Sequence, residues 1–218
     1  MYSFTEENYI KALFNLSDKK GEVNVKELSK HLGIKMPTVT SMMKNLARKG
    51  IVHYKSYQPM HLTEKGKKEA GLIIRKHRLT EMYLFEKMGF GWEEVHEIAE
   101  QIEHIHSPTF FEKMDELLGF PKTDPHGHPI PDKNGKITLK EYWNLSNCKV
   151  GETVKLYSVV NSTDEFLKFL NSRELHLGLK IKILSVEAFD KSMVISYGNK
   201  TAETLSHTAS ERLLVNKS

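Results

Sequence analysis

His77 and Glu81 stand one helical turn apart, and His96 is followed by Glu100, Glu103 and His104 at intervals of four, seven and eight residues. At 3.6 residues per turn each set projects from one stripe of a helix, so six imidazole and carboxylate side chains are available to two neighbouring helices. Packing alone is a poor reason for four such residues on one stripe, because an ionised carboxylate taken out of water needs a partner. Nitrogen and oxygen donors without a thiolate suit manganese, ferrous iron, cobalt or zinc, and do not suit copper(I) or an iron–sulfur cluster. The other histidines lack such company. His126 and His128 lie in a proline-rich stretch and are expected to serve a loop, while His106 falls about 200° around the helix from His104.

A second constellation lies nearer the N-terminus. Thr38, Thr40 and Ser41 offer short hydroxyls, and Lys44, Arg48 and Lys49 follow on the same helix, while Val39, Met42, Met43 and Leu46 fall on its other face. Short hydroxyls suit base edges and phosphates, and the cations position the module on a phosphate backbone. Lys35 and Pro37 at the start of this helix and Lys55 beyond it complete the candidate DNA-binding set.

The elements that position these residues follow from spacing. Ser3-Phe4-Thr5-Glu6 has the form of a capping box, and Tyr9, Ile10, Leu13, Phe14 and Leu16 continue at helical spacing, which predicts a helix over Thr5–Ser17. Val25–Leu32 reads as a short helix, His31–Ile34 as a tight turn, and Pro37–Lys49 as a helix that starts at proline and stops at Gly50. Ile51–Lys55 and Met60–Thr63 read as two strands, which makes a winged helix-turn-helix. Glu64–Lys87 is a long helix whose Leu72, Ile73, Leu79, Met82, Tyr83 and Leu84 could form a packing or dimer face. Helices over Trp92–His106 and from Pro108 to Gly119 follow. Phe120–Gly135, with four prolines, is a linker or an extended loop. Beyond it, strands over Glu152–Val160, Lys180–Val186 and Met193–Tyr197 with a helix over Thr163–Asn171 suggest a small β-barrel. The expected fold class is mainly α with small β parts, in three domains: a winged helix at 1–63, a helical domain at 64–135 and a β-barrel at 136–218.

The chain has 218 residues, 39% of them apolar and 28% charged, enough to bury a core. Its net charge of +4 is unevenly spread. Residues 1–75 carry 14 Lys/Arg against 7 Asp/Glu, a net of +7, and Glu81–Asp124 carries 3 against 11, a net of −8. A basic module suits a polyanion, and an acidic one interspersed with histidines suits a divalent cation. The single cysteine, Cys148, forms no internal disulfide, which fits a reducing, cytoplasmic setting. No apolar run approaches the ~20 residues of a membrane span, and no export signal is indicated. Gly-x-Ser-x-Gly and His-Glu-x-x-His signatures are absent, so the chain is not expected to be an enzyme.

The winged helix, the run Arg75-Lys76-His77-Arg78-Leu79, the series Val95-His96 with Glu100-x-x-Glu103-His104, and Asp124-Pro125-His126-Gly127-His128-Pro129-Ile130-Pro131 together resemble the diphtheria-toxin-repressor family of metal-dependent transcriptional regulators. The resemblance spans essentially the whole chain. It implies a homodimer on a palindromic double-stranded DNA operator, no membrane association, and a C-terminal SH3-like domain of the FeoA type. It also implies up to two metal ions per subunit, with His77, Glu81 and His96 matching one site and Glu100, Glu103 and His104 the other. Glutamate at position 100, where iron-sensing members carry cysteine, favours Mn²⁺ over Fe²⁺ as the activating ion. Two positions depart from the pattern. Asn8 stands where the family has a Met or Asp ligand, and Lys11 where the manganese branch adds a Glu. Asn8 still offers an amide oxygen, and Glu165 matches a ligand contributed by the C-terminal domain. The function implied is repression of metal-uptake genes. The alternatives are an Fe²⁺-dependent repressor of the same architecture and, from another class, a di-metal carboxylate enzyme, which leaves the basic N-terminal third unexplained.

Overall fold

The computed structural model describes residues 2–17, 21–138 and 141–217. These fall into two compact units. The first takes Met1–Thr80, Ala99–Met114 and Ile130–Thr138, and the second takes Glu81–Ile98, Asp115–Pro129 and Leu139–Ser218.

In the first unit, α1 (Phe4–Ser17) opens with the expected capping box: the Ser3 N–H donates to Glu6 Oε2 at 3.0 Å, and the Glu6 N–H donates back to Ser3 Oγ at 3.3 Å. α2 (Val25–Leu32) carries a second capping box, Asn24 with Glu27, and ends at Gly33. α3 (Met36–Arg48) has Pro37 in its first turn. β1 (Val52–His53) and β2 (His61–Leu62) pair antiparallel and form the wing. Both strands are shorter than their sequence suggests, because the intervening turn starts early and places Tyr57 at φ 62°. Tyr9, Ile10, Leu13, Leu28, Val39, Met43, Leu46, Ile51 and Met60 make one apolar core. Each such side chain contributes about 1.5–3 kcal/mol on burial.

Glu6 is buried beneath this module, accepting from Asn45 Nδ2 at 2.7 Å and Lys49 Nζ at 2.5 Å. Lys49, one of the cations expected to face a polyanion, is therefore spent on joining α3 to α1.

α4 (Glu64–Met88) is the longest helix. The segment Ile130–Thr138 lies along its first half, where a Cβ on Gly71 would meet the Gly135 carbonyl oxygen at 1.9 Å and one on Gly135 would meet the Lys68 carbonyl oxygen at 2.4 Å. Only paired glycines allow this approach. Arg75 Nη1 then donates to the Pro131 carbonyl at 2.7 Å. This part of the proline-rich stretch is an ordered strap along α4.

α5 (Val95–Ile102) is shorter than the helix expected over Trp92–His106. Residues 92–94 form a turn, with the Gly91 N–H donating to Glu94 Oε2 at 2.7 Å, and at the other end the chain turns at Glu103 and His104, directly after Ile102. α6 (Pro108–Leu117) follows.

In the second unit, β3 (Trp143–Asn144), β4 (Thr153–Val159), β5 (Lys180–Val186), β6 (Met193–Tyr197), β7 (Lys200–Leu205) and β8 (Leu213–Lys217) form one antiparallel sheet in the order β3-β8-β4-β5-β6-β7. α7 (Asp164–Ser172) connects β4 to β5, and α8 (His207–Ser210) connects β7 to β8. Register shifts within β4, β5 and β6 curve the sheet around Leu156, Leu167, Leu170, Ile181, Ile195 and Val215. The expected strands and helix lie where the alternation put them. β3, β7 and β8 are additional: β3 has two residues, β7 is mostly polar and exposed, and β8 opens with three consecutive apolar residues, Leu213, Leu214 and Val215, which do not alternate.

Ionic and hydrogen-bonding partners hold the Glu6 carboxyl below its ordinary value: burial pushes it up, and Lys49, the Ser3 N–H and Asn45 outweigh that. A folded-state value below the unfolded one means that the stabilisation is complete above the unfolded carboxylate range and is lost as pH falls through the folded value. Glu6→Gln should therefore cost about 1–2 kcal/mol in denaturant titrations at neutral pH, with the difference from wild type closing on acidification. A pH-independent difference would contradict the assignment.

Candidate metal centre and nucleic-acid interface

Within the first unit α1 presents Glu7, Asn8 and Lys11 on one side, one turn separating the first from the last. Past the C-terminus of α5 the Glu103 N–H still bonds the Ala99 carbonyl at 2.9 Å, which carries Glu103 and His104 a turn beyond Glu100. Glu103 is fully buried. Its Oε2 lies 2.5 Å from His77 Nδ1, and Lys11 Nζ reaches Glu103 Oε1 at 2.7 Å, Glu103 Oε2 at 2.9 Å and Glu100 Oε1 at 2.5 Å. Burial pushes the Glu103 carboxyl up, but His77 and Lys11 more than reverse this and hold it below its ordinary value.

His104 Nδ1 lies 2.6 Å from Glu7 Oε2, and Glu7 Oε1 lies 3.6 Å from Lys76 Nζ. A carboxylate oxygen accepts, so in the neutral ring Nδ1 carries the proton and Nε2 keeps its lone pair. That Nε2 is buried and makes no hydrogen bond, and the same holds for Asn8 Oδ1. Two orphaned donors to a cation therefore sit on the residues expected as ligands. Glu7 was not among the expected site residues. Its signal is present in the sequence as an acid one turn before Lys11 and next to Asn8.

Within the second unit Glu81 Oε1 lies 3.3 Å from His96 Nδ1, and Glu81 Oε2 lies 4.0 Å from His126 Nδ1. His126 Nε2 donates to the Trp92 carbonyl at 2.7 Å, which leaves Nδ1 as the ring nitrogen with a lone pair. Asp124 Oδ1 accepts from the His126 and His128 N–H groups at 2.8 and 2.9 Å, and Oδ2 lies 3.1 Å from His128 Nδ1. Asp124, His126 and His128 each offer a ligand atom within 4.8 Å of the others. The turn is pressed on β4: a Cβ on Gly127 would meet the Tyr157 carbonyl oxygen at 2.1 Å, and Ser158 Oγ donates to the His126 carbonyl at 2.9 Å. His126 and His128 thus lie, as expected, in a loop, one that is held against β4 and groups them with Asp124 as residues that could hold a cation. Trp92 is buried and donates to Asn171 Oδ1 at 2.7 Å. Glu165 is exposed in the first turn of α7 and, among the described residues, joins no group of three close potential ligands.

The donors in the second unit, neutral imidazole nitrogens beside carboxylate oxygens, fit a divalent first-row cation. The first-unit carboxylates are already engaged by an ammonium group.

On α3, Lys35, Pro37, Thr38, Ser41, Lys44 and Arg48 are exposed and Thr40 is half-buried, while Val39, Met43 and Leu46 lie in the core. Lys55 is exposed on the wing, whose tip carries the fully exposed Tyr57. The solvent face of α3 therefore offers hydroxyls and cations without an acid among them.

Residues 1–60 match the iron-dependent repressor N-terminal DNA binding domain, residues 63–132 the iron-dependent repressor metal binding and dimerisation domain, and residues 143–217 the FeoA domain. The diphtheria toxin repressor of Corynebacterium glutamicum (strain ATCC 13032) is 30% identical over 94% of this chain and 93% of its own length. The chain belongs to the diphtheria toxin repressor family. That family is one of transcriptional repressors, not enzymes. The iron-dependent repressor IdeR of Mycobacterium tuberculosis (strain ATCC 25618 / H37Rv) is 32% identical over 58% of this chain, a stretch that spans 55% of IdeR. Among solved structures, a manganese-dependent transcriptional repressor in complex with manganese shares 26% identity with a TM-score of 0.87, covering 98% of this chain and all of that one. ScaR with bound Cd²⁺ shares 30% identity with a TM-score of 0.81, covering 98% of this chain and 99% of that one.

Asp124→Ala strips two backbone N–H groups of their acceptor and should cost about 1–3 kcal/mol in denaturant unfolding. The same substitution should weaken Mn²⁺ binding measured by calorimetry, since it frees the His126–His128 turn. Unchanged stability and affinity would show the turn to be held by other means.

Proposed function

We propose that the chain is a metal-dependent, DNA-binding repressor that acts as a homodimer on a palindromic operator, with Mn²⁺ as the activating ion. The observation that carries this reading is the cluster of imidazole and carboxylate donors in the second unit, Asp124, His126 and His128 with Glu81 and His96, in a chain whose α3 presents hydroxyls and cations to solvent.

The donors proposed for the cation are Glu81, His96 and His126 of the second unit, beside Asp124 and His128. Carboxylates and imidazoles without a thiolate favour Mn²⁺ over the softer ions, and relatives similar in structure include one described as a manganese-dependent repressor with manganese bound. Fe²⁺ is the second reading, supported by the iron-dependent repressor relatives. Winged-helix, helical and FeoA-type domains with bounds near 63 and 135 follow from the same reading. A cytoplasmic location agrees with the buried free Cys148 and with the absence of any helix long and apolar enough to cross a membrane among the described residues. Dimerisation gives exposed Phe110 and Leu117 of α6 and Phe85 and Met88 of α4 an apolar partner in a second copy. A two-fold dimer presents two copies of α3 to half-sites about one helical turn of DNA apart.

The energetic logic is linkage. A cation that binds the DNA-competent arrangement more tightly shifts the population towards it, and DNA must in return tighten the cation's binding. Fluorescence-anisotropy titration of chelator-stripped protein onto DNA from its own upstream region, at fixed salt, should give saturable binding with Mn²⁺ and far weaker binding without metal. Equal affinity with and without metal would overturn the reading. Lys44→Ala should weaken binding to all sequences alike and reduce the slope of log affinity against log salt by about one.

A further inference from the structure

Buried Glu103 and part-exposed Glu100 at the end of α5 are where a dication is expected, yet in this chain their carboxylates already hold an ammonium group from within the chain. The Lys11 side chain is nearly buried, and its ammonium has three N–H donors. Three carboxylate oxygens surround it: Glu100 Oε1 at 2.5 Å, Glu103 Oε1 at 2.7 Å and Glu103 Oε2 at 2.9 Å. Its hydrogen-bonding capacity is filled, and both oxygens of the fully buried Glu103 are taken. Of the buried polar atoms here, His104 Nε2 and Asn8 Oδ1 make no hydrogen bond, and Nε2 lies 3.5 Å from Glu103 Oε1. A divalent ion at this locus would sit beside a fixed ammonium that already takes the carboxylate charge it needs on leaving water.

We infer that Lys11 is a covalently attached stand-in for one of the two cations, so that each subunit takes a single divalent ion, in the second unit, and α1 is tethered to α5 whether or not metal is present. This rests on the metal-dependent reading given above, but its test is separable. The replacement is chemically reasonable, because an ammonium offers a point charge on a flexible stem and satisfies carboxylates without a preferred coordination geometry. Its cost is regulatory range: an attached cation does not dissociate, so the α1–α5 contact no longer reports metal concentration. Only the second-unit donors then sense the ion.

The test is equilibrium dialysis of the full chain against Mn²⁺, with bound metal counted by atomic emission, and thermal unfolding of the same samples without and with Mn²⁺. Wild type should bind one Mn²⁺ per subunit. Lys11→Met keeps the stem, removes the charge and should bind two, with a lowered metal-free melting temperature that Mn²⁺ restores. Lys11→Arg retains the charge and should behave as wild type, which keeps the test alive if the Met variant fails to fold. Two ions in wild type, or an unchanged count in a folded Lys11→Met, overturns the inference. No ion in wild type but one in Lys11→Met would support the stand-in role of Lys11 while sinking the metal-dependent reading. No ion in either would sink both.

Discussion

Everything in the first unit turns on one buried anion. Glu103 has no contact with solvent, and an ionised carboxylate in that position is tolerable only if its charge and its lone pairs are met. His77 from α4 and Lys11 from α1 meet them, so a requirement imposed by one residue brings three helices to a common point. Glu7 and His104 repeat the arrangement one step away, with an acid from α1 and an imidazole from the turn after α5. The DNA-binding module is joined to the remainder of its unit by these polar groups and by the apolar core, in which Ala70 and Ile73 of α4 cluster with Tyr9, Ile10 and Leu13 of α1. The polar part depends on charge balance, and Lys11 fixes that balance from within the chain.

The second unit solves a different problem. There a turn containing two prolines and a glycine must hold histidine rings at defined angles without a helix to carry them. Asp124 does this by accepting two successive backbone N–H groups, and the Trp92 carbonyl fixes which nitrogen of His126 bears the proton. The apolar core of the curved sheet supplies the rigid floor beneath. Affinity for a small ion is set as much by such supports as by the ligands themselves.

Helical periodicity made α1, α3 and α4 legible, and capping residues marked their starts. Alternation did the same for β4, β5 and β6, whose buried faces repeat every second residue. β7 escaped because an exposed edge strand has little apolar pattern to show. The grouping of His77, Glu81, His96, Glu100, Glu103 and His104 was visible as spacing, but spacing reports only which side chains share a stripe. It says nothing of what faces that stripe, and so the role of Glu7, the filling of the Glu100–Glu103 pair by Lys11 and the use of His126 were not accessible. The first two depend on contacts between residues about 90 positions apart, and the third on contacts of His126 with Trp92 and Ser158, more than 30 positions away. The α5 boundary failed for a local reason: turns at residues 92–94 and 103–104 shorten a helix whose apolar spacing alone extends further.

The contact between Gly71 and Gly135 adds a constraint of another kind. A helix and a strap touching backbone to backbone leave no side chain between them that could be resized, so the spacing of that seam is not adjustable by ordinary mutation. The ligands, the wing and the solvent face of α3 can each change one residue at a time, but a side chain at either glycine meets the backbone of the other element, and Gly135 at φ 78° is held to glycine by its own conformation as well.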